Sequence, residues 1–175
     1  MEVLHQVSLK PYSTFGIDAL AHKLIRVQSV NEFMQAMEHK ADMPMLILGG
    51  GSNILFTGDF PGLVIKNEIP GLDFEAESDD FVIVKAGAGL TWHTFVRHCI
   101  GQNWGGLENL SLIPGKVGAA PMQNIGAYGV EIKDCFHSLE ALNLETGEIN
   151  VFDAKECRFG YRESTFKHER KNQFA

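Results

Sequence analysis

Hydrophobic positions in the first third of the chain switch between strand-like and helix-like spacing. Leu24 to Val27 is a short β-prone run, and Ser29 followed by Glu32 has the spacing of a capping box, which predicts a helix to about His39. The apolar stripe predicted for that helix consists of Phe33, Met34, Ala36 and Met37. Met45 to Leu48 is a continuous apolar run, which predicts a strand covered on both faces. The order strand, helix, strand indicates a small α/β unit.

A second group of elements follows Asn67 to Gly71, where Pro70 and Gly71 favour a connection over a continuing strand. We therefore predict one subdomain over residues 1–67 and another over 68–175. Periodicity and turn residues predict the remaining elements. These are strands at Leu63 to Ile65 and Phe81 to Ala86, a helix from Thr91 to about Gln102, ordered irregular backbone from Trp104 to Gly129, a hairpin of Leu139 to Leu144 with Ile149 to Phe152, and one helical turn at Ala154 to Arg158.

Composition and charge narrow the functional class. The 175 residues are 45% hydrophobic and 21% charged, as in a globular protein, and the net charge of −7 disfavours nucleic acid as a partner. No run approaches the roughly 20 apolar residues that cross a bilayer, so we expect no membrane association and a cytoplasmic protein. The three cysteines have no spacing typical of zinc ligands, and we predict no metal site.

Two glycine-rich turns are the first candidates for chemistry. Gly49 to Asn53 has three consecutive glycines, whose N–H groups can converge on an anion, although a lone turn of this kind is more often a tight connection. Gly87 to Gly89 repeats the G-x-G pattern after a predicted strand. Both turns lack the third glycine of the Rossmann fingerprint, and Val117 replaces the hydroxyl residue of a P-loop.

The segment Ile113 to Gly129 is the second candidate, because small residues recur along it, as a backbone lying against a large ligand requires. The alternative is a buried Ω-type loop, but so many buried backbone groups would be costly without a function. The third candidate is Arg158 to Arg162, whose two guanidinium groups could orient an anionic substrate. Its alternative is a solvated basic patch.

Together and in this order, these motifs resemble those of the UDP-N-acetylenolpyruvoylglucosamine reductases, the MurB family of bacterial cell-wall synthesis. The most specific part of the resemblance is Gln123 to Gly129 joined to Phe159 to Arg162. The resemblance implies an α+β chain with the FAD-binding fold of the vanillyl-alcohol oxidase/MurB type. In that fold FAD lies between two α+β subdomains, of which we expect the second to be incomplete and the family's C-terminal substrate-binding domain to be absent.

The resemblance also implies cofactors, a substrate and residue roles. NADPH supplies hydride through FAD to the enolpyruvyl carbon of UDP-N-acetylglucosamine enolpyruvate, giving UDP-N-acetylmuramate. Arg162 matches the family's catalytic, substrate-binding arginine, and Tyr161 matches a substrate-binding tyrosine. The residues expected to bind FAD are Gly49, Gly50, Gly51, Ser52, Asn53, Ile54, Leu55, Gly87, Ala88, Gly89, Ile113, Pro114, Gly115, Gly118, Ala119, Pro121, Gln123, Asn124, Ile125, Gly126, Ala127 and Tyr128.

The sequence departs from the family in its length. The family's serine proton donor and a catalytic glutamate lie beyond residue 175, so we expect this polypeptide to be inactive alone. We also expect an apolar strand to begin near Gln173 to Ala175, with an uncovered sheet edge that favours self-association. Two alternatives remain open, a flavin- or nucleotide-binding module without chemistry and a flavin oxidase of the same fold.

Overall fold

A four-stranded mixed sheet forms the N-terminal part of the protein in the computed structural model, which describes residues 1–76, 78 and 80–175. Its strands are β1 (Val3–Ser8), β2 (Leu20–Val27), β3 (Met45–Leu48) and β4 (Phe60–Asn67). The spatial order is β1-β2-β4-β3, with β1 antiparallel to β2 and the other pairs parallel. The parallel strands β2, β3 and β4 therefore end at the same edge, where α/β sheets bind ligands.

The helix α1 (Val30–Glu38) confirms the first helix prediction. The hydroxyl of Ser29 accepts a hydrogen bond from the N–H of Glu32 at 3.1 Å, which caps the first turn. Phe33 and Ala36 are buried, but Met34 is exposed, so the stripe is narrower than predicted. Strand β3 is also covered less fully than predicted, because it lies at the sheet edge and only Leu48 is buried.

The second half of the chain contains shorter elements. They are β5 (Leu72–Ala76), β6 (Val82–Ala86), α2 (Trp92–Gly101), β7 (Gly126–Ala127), β8 (Val130–Glu131), β9 (Ser138–Leu142), β10 (Ile149–Asp153) and α3 (Ala154–Cys157). Strands β5 and β6, β7 and β8, and β9 and β10 form antiparallel pairs. The predicted second helix, the late hairpin and the single helical turn are confirmed. Residues 104–125 consist of 3₁₀ turns and irregular backbone, as predicted, but the prediction was wrong for Gly126–Ala127, which form β7.

Apolar packing connects the two halves. The core around α2 contains the buried Trp92, whose indole N–H donates to the carbonyl of Leu110 at 2.7 Å. Leu142 of β9 instead completes the core that Phe33 and Ile65 form on the N-terminal sheet. The boundary between residues 67 and 68 stays a prediction, because one strand of the later part packs on the earlier one.

The last three residues lie along β9. The N–H of Leu142 donates to the carbonyl of Ala175 at 2.8 Å, and the N–H of Ala175 donates back at 2.9 Å. Asn143 and Phe174 form an isolated antiparallel bridge. This segment therefore pairs with the last residue of β9 and the two residues after it, and self-association stays a prediction.

Candidate functional site

Loop 1 (Gly49–Asn53) follows β3 at the carboxyl edge of the parallel strands. Gly51 has φ +67°, and a Cβ there would lie 1.9 Å from the carbonyl oxygen of Tyr12, so only glycine fits this backbone. The N–H of Thr14 donates to the carbonyl of Gly51 at 3.1 Å. Tyr12 and Thr14 of the N-terminal segment therefore hold loop 1 in place.

The backbone N–H groups of loop 1 are free to bind a ligand. Within residues 1–76, 78 and 80–175, none of the N–H groups of Gly49 to Asn53 donates to a protein acceptor. Several donors on one tight turn create positive potential, which suits an anion with several oxygens. Binding of an anion by loop 1 stays a prediction.

Loop 2 (Gly87–Gly89) has glycines for a different reason. The N–H of Gly87 donates to the carbonyl of Gly71 and that of Gly89 to the carbonyl of Ile69, each at 2.8 Å. A Cβ at Gly87 would lie 2.3 Å from the carbonyl oxygen of Pro70. The two glycines let loop 2 pack closely against residues 69–71, and the N–H groups of Gly87 and Gly89 are not available to a diphosphate.

Loop 3 (Ile113–Gly129) joins the first two loops. The N–H of Gly118 donates to the carbonyl of Ala88 of loop 2 at 3.0 Å. On its other side, a Cβ at Gly50 of loop 1 would lie 3.0 Å from Cα of Gly115, and one at Gly115 would lie 3.4 Å from Oγ of Ser52. The three loops that the sequence singled out therefore meet in one place.

The second half of loop 3 has its own internal order. Asn124 and Ile125 are buried, whereas Gly126 and Ala127 pair with β8 across the turn Tyr128-Gly129. Both turn residues have positive φ, 54° and 81°, as the tight turns favoured in hairpins require. Tyr128 is 89% exposed at the tip, where its ring is free to contact a ligand.

The remaining residues predicted to bind FAD lie at different depths. Ile113 packs against the core around α2, Pro114 and Ala119 are exposed, and Pro121 and Gln123 are half-buried. Ile54 and Leu55 line a surface depression of about 340 Å³ beyond loop 1. Their contacts with a cofactor stay predictions.

Loop 4 (Arg158–Arg162) is attached to loop 3. Nη2 of Arg162 donates to the carbonyl of Gly126 at 3.0 Å, and Nδ2 of Asn124 donates to the carbonyl of Gly160 at 2.9 Å. Tyr161 is 86% exposed. The structure therefore brings the predicted substrate residues to the end of the predicted FAD loop.

Asn124 makes one of these two contacts between loop 3 and loop 4. Its side chain is fully buried, and Oδ1 accepts from the N–H of Lys133 at 3.2 Å while Nδ2 donates to Gly160. The amide thus fastens loop 4 and the segment after β8 to loop 3. Contact between Asn124 and a cofactor stays a prediction, because the side chain already has partners within the protein.

The two arginines of loop 4 differ in whether a carboxylate pairs with them, and charged residues that follow loop 4 contact its end. Arg158 donates to the carboxylate of Glu169 at 2.6 Å, so its charge is paired. Lys167 Nζ donates to the carbonyl of Arg162 at 2.8 Å. The hydrogen bond from His168 holds the pKa of Glu163 below its ordinary value. The guanidinium of Arg162 forms no ion pair in the described part of the chain and keeps a charge for a ligand.

Sequence reasoning missed two lysines beside loop 1. Lys66 of β4 is buried, and its ammonium donates to the carbonyl of Gly49. The side chain of Lys116 lies 3.6 Å from the position of a Cβ on Gly49, and its Nζ donates to Oγ1 of Thr91 at 3.1 Å. Burial, and next the charge of Lys116, lower the pKa of Lys66. The signal in the sequence was a lysine directly after the apolar run Leu63 to Ile65 of β4.

The other titratable residues do not form a reactive centre. Burial is the main cause that raises the pKa of Cys135 and of Cys157 to about 11, so both thiols are neutral at pH 7. Over the ranges that the structure describes, no cluster of three or more metal-ligating side chains is found. Among the same residues, every helix is too short or too polar to span a bilayer.

Comparison with known proteins first identifies a family model. The model described as "FAD binding domain" matches residues 21–153. The chain is 53% identical over 174 residues to a UDP-N-acetylenolpyruvoylglucosamine reductase of Flavobacterium johnsoniae, covering 99% of this chain and 52% of that protein. It is 49% identical over 171 residues to the reductase of the same name from Pseudomonas fluorescens, covering 97% and 50%. The chain spans about half the length of these relatives.

Solved structures give the same fold. The structure resembles UDP-N-acetylenolpyruvylglucosamine reductase (MurB) from Thermus caldophilus with a TM-score of 0.71 and 27% identity, over 93% of this chain and 56% of that one. It also resembles 6-hydroxy-D-nicotine oxidase from Arthrobacter nicotinovorans with a TM-score of 0.62 and 14% identity, over 89% and 36%. The predicted α+β FAD-binding fold of the vanillyl-alcohol oxidase type is confirmed.

Proposed function

This chain belongs to the FAD-binding domain family, and on that premise we propose that it forms the FAD-binding part of a reductase of peptidoglycan precursor synthesis. The predicted resemblance to the N-terminal part of MurB reductases is confirmed by the similarity to named relatives. The observation that carries the proposal is 53% identity over 99% of the chain to a UDP-N-acetylenolpyruvoylglucosamine reductase. The substrate class is accordingly the enolpyruvyl ether of a UDP-sugar.

The residues of loops 1 to 3 fit FAD. Loop 1 presents unpaired N–H donors in the described structure, and FAD carries a diphosphate whose oxygens can accept them. Gly50 and Gly115 approach so closely that a Cβ at Gly50 would contact Cα of Gly115, which leaves a smooth backbone surface. When bound, FAD supplies the chemistry of accepting and returning a hydride, and we propose NADPH as the donor.

Loop 4 provides the residues that face the substrate in this proposal. Addition of hydride to the enolpyruvyl group builds negative charge next to its carboxylate, and a fixed cation stabilises that charge. Arg162 is a fixed cation, because its guanidinium is bound to Gly126 and Lys167 holds its carbonyl. Tyr161 precedes it in the turn, and we propose that its exposed ring contacts the sugar.

The proposal also takes account of the length of the relatives. The curated relatives are about twice as long as this chain, and we propose that their remaining half takes part in catalysis. We therefore expect the 175-residue chain to bind FAD without oxidising NADPH at a useful rate. A general acid missing from the site costs a factor of roughly 10² to 10⁴ in rate.

The test is a fusion of this chain to the C-terminal half of the Flavobacterium johnsoniae reductase. The fusion should bind FAD in stoichiometric amount, and it should oxidise NADPH beyond one equivalent per FAD only when UDP-N-acetylglucosamine enolpyruvate is added. Arg162→Met should keep its flavin absorbance and lose about 10²- to 10³-fold in kcat, the effect of removing one donor to a developing anion. Lys171→Met is the matched control and should stay within twofold. A flavin-loaded fusion that leaves the UDP-sugar unchanged would refute the proposed substrate.

A further inference from the structure

Lys66 is a buried charge at the ligand-binding edge of the N-terminal sheet. It is the second-last residue of β4, which lies between β2 and β3, and only 7% of its surface is exposed. In the ladder it is opposite Leu48, the last residue before loop 1. A lysine at this depth is uncommon unless the charge is paired.

The ammonium of Lys66 has no carboxylate partner among the residues the structure describes. The nearest acidic candidate, Glu68, is bound to Arg26 at 2.8 Å. The one hydrogen bond recorded for Nζ goes to the carbonyl of Gly49. An ammonium forms three hydrogen bonds, so two of its protons have no protein acceptor.

Burial and other positive charges disfavour the charged form of this ammonium. Burial lowers the pKa of Lys66, the charge of Lys116 lowers it further, and Arg26 acts in the same direction, while Glu68 opposes them. The side chain of Lys116 lies close to Gly49, whose carbonyl accepts from Lys66. Two cations therefore lie near loop 1, whose N–H groups have no protein acceptor in the described structure. The carboxylate of Glu68, which acts on Lys66, is paired with Arg26.

A buried, unpaired charge opposes folding, so a function that uses the charge explains its presence. We infer that Lys66, together with Lys116, forms the cationic part of a site for the diphosphate of a nucleotide cofactor, and that Lys66 is a binding residue rather than a strut for loop 1. The inference deepens the proposed function and rests on it only for the identity of the cofactor, FAD.

The two roles of Lys66 differ in their effect on the ligand-free protein. If Lys66 mainly holds the carbonyl of Gly49, removing its charge should destabilise the chain and disturb loop 1. If Lys66 is kept for the diphosphate, Lys66→Met should leave the ligand-free chain as stable or more stable, because Met fills a similar volume without a buried charge. Only the second role predicts that Lys66→Met binds FAD more weakly while its ligand-free stability is unchanged or higher.

The experiment measures FAD binding to the 175-residue chain by calorimetric titration and thermal unfolding without FAD. Lys66→Met should bind FAD about 10- to 100-fold more weakly, the range for losing a hydrogen bond from a charged group. Lys116→Met should lose about 3- to 10-fold, because this lysine is less buried and charge contacts weaken with exposure. Lys155→Met, on an exposed face of α3, removes the same charge and should stay within twofold.

The possible results distinguish a failure of the proposed role of Lys66 from a failure of the FAD assignment. Unchanged FAD binding by Lys66→Met overturns the inference, and so does a variant that unfolds or loses stability and affinity together. A wild-type chain that binds no FAD overturns the cofactor assignment along with it. A fusion that binds FAD but does not reduce the UDP-sugar refutes the proposed function and leaves the role of Lys66 intact.

Discussion

Asn124 offers the sharpest test of how loops 3 and 4 are joined. Its fully buried amide makes two hydrogen bonds, to the carbonyl of Gly160 and from the N–H of Lys133. Asn124→Ala removes both: the N–H of Lys133 loses its acceptor, while the carbonyl of Gly160 still accepts from the N–H of Glu163 at 3.1 Å. Each such bond contributes about 0.5–1.5 kcal/mol, so their loss should lower the free energy of unfolding by about 1–3 kcal/mol.

The backbone of Asn124 adds a second cost, which a matched variant isolates. Asn124 has φ +44°, a left-handed conformation that disfavours alanine by about 1–2 kcal/mol. Asn103 has φ +61° and is exposed, and its side chain makes no hydrogen bond within the described structure. Asn103→Ala should therefore show the backbone cost alone. The difference between the two variants should equal the contribution of the two hydrogen bonds.

Urea unfolding followed by circular dichroism would measure the free energy of unfolding of both variants, and thermal unfolding would measure their Tm. For a chain of this length, 1–3 kcal/mol corresponds to a further decrease in Tm of about 2–12 °C for Asn124→Ala relative to Asn103→Ala. The slope of free energy against urea should not change, because the extent of surface exposed on unfolding is the same. Equal losses in the two variants would refute the claim that the amide joins the loops.

Three further predictions follow from the site. Gly118→Ala would place a Cβ 2.6 Å from that of Ala88 and push loop 3 away from loop 2, so FAD affinity should fall about 10-fold, while Gly105→Ala, which adds its Cβ in open space, should match wild type in the same titration. Because the pKa of Lys66 is lowered on folding, its charge opposes folding at pH 7 and this effect fades as pH rises toward 10.5; the stability advantage of Lys66→Met should shrink between pH 7 and 10.5, and a constant gap would contradict it. A thiol reagent at pH 7 should modify Cys135 about 10- to 100-fold more slowly than a thiol of pKa 9, because burial and the charge of Asp134 raise its pKa to about 11; a rate equal to that of a free thiol would contradict this.

Local signals in the sequence were enough for α1, α2 and the hairpin of β9 and β10, but not for β1, β5, β7 and β8, which were not predicted. The capping residue Ser29 and the spacing of Phe33 and Ala36 predicted α1, because both depend on neighbours within one helical turn. The turn around Gly147 predicted the pairing of β9 with β10. The family was predictable because the glycine loops and Phe159 to Arg162 occur in a fixed order along the chain.

The functions of individual residues in the site depended on tertiary partners that no local pattern shows. Gly87 and Gly51 look equivalent in the sequence, but the N–H of Gly87 is bound to the carbonyl of Gly71 and that of Gly51 is free within the described structure. Lys66 reads as the polar end of a strand, and only the packing of β2 and β3 on either side shows that it is buried. The direction of the Asn124 amide also depends on a tertiary partner, the carbonyl of Gly160, to which it donates.

The hydrogen bonds of Gly87 and Gly89 to the carbonyls of Gly71 and Ile69 have a thermodynamic consequence. We expect no hinge in a segment fastened in this way, so loops 1 to 3 should keep their spacing before a ligand arrives. Association with the proposed site would then require little loss of backbone entropy. The entropy lost on binding would come mainly from the exposed side chains of Tyr128 and Tyr161.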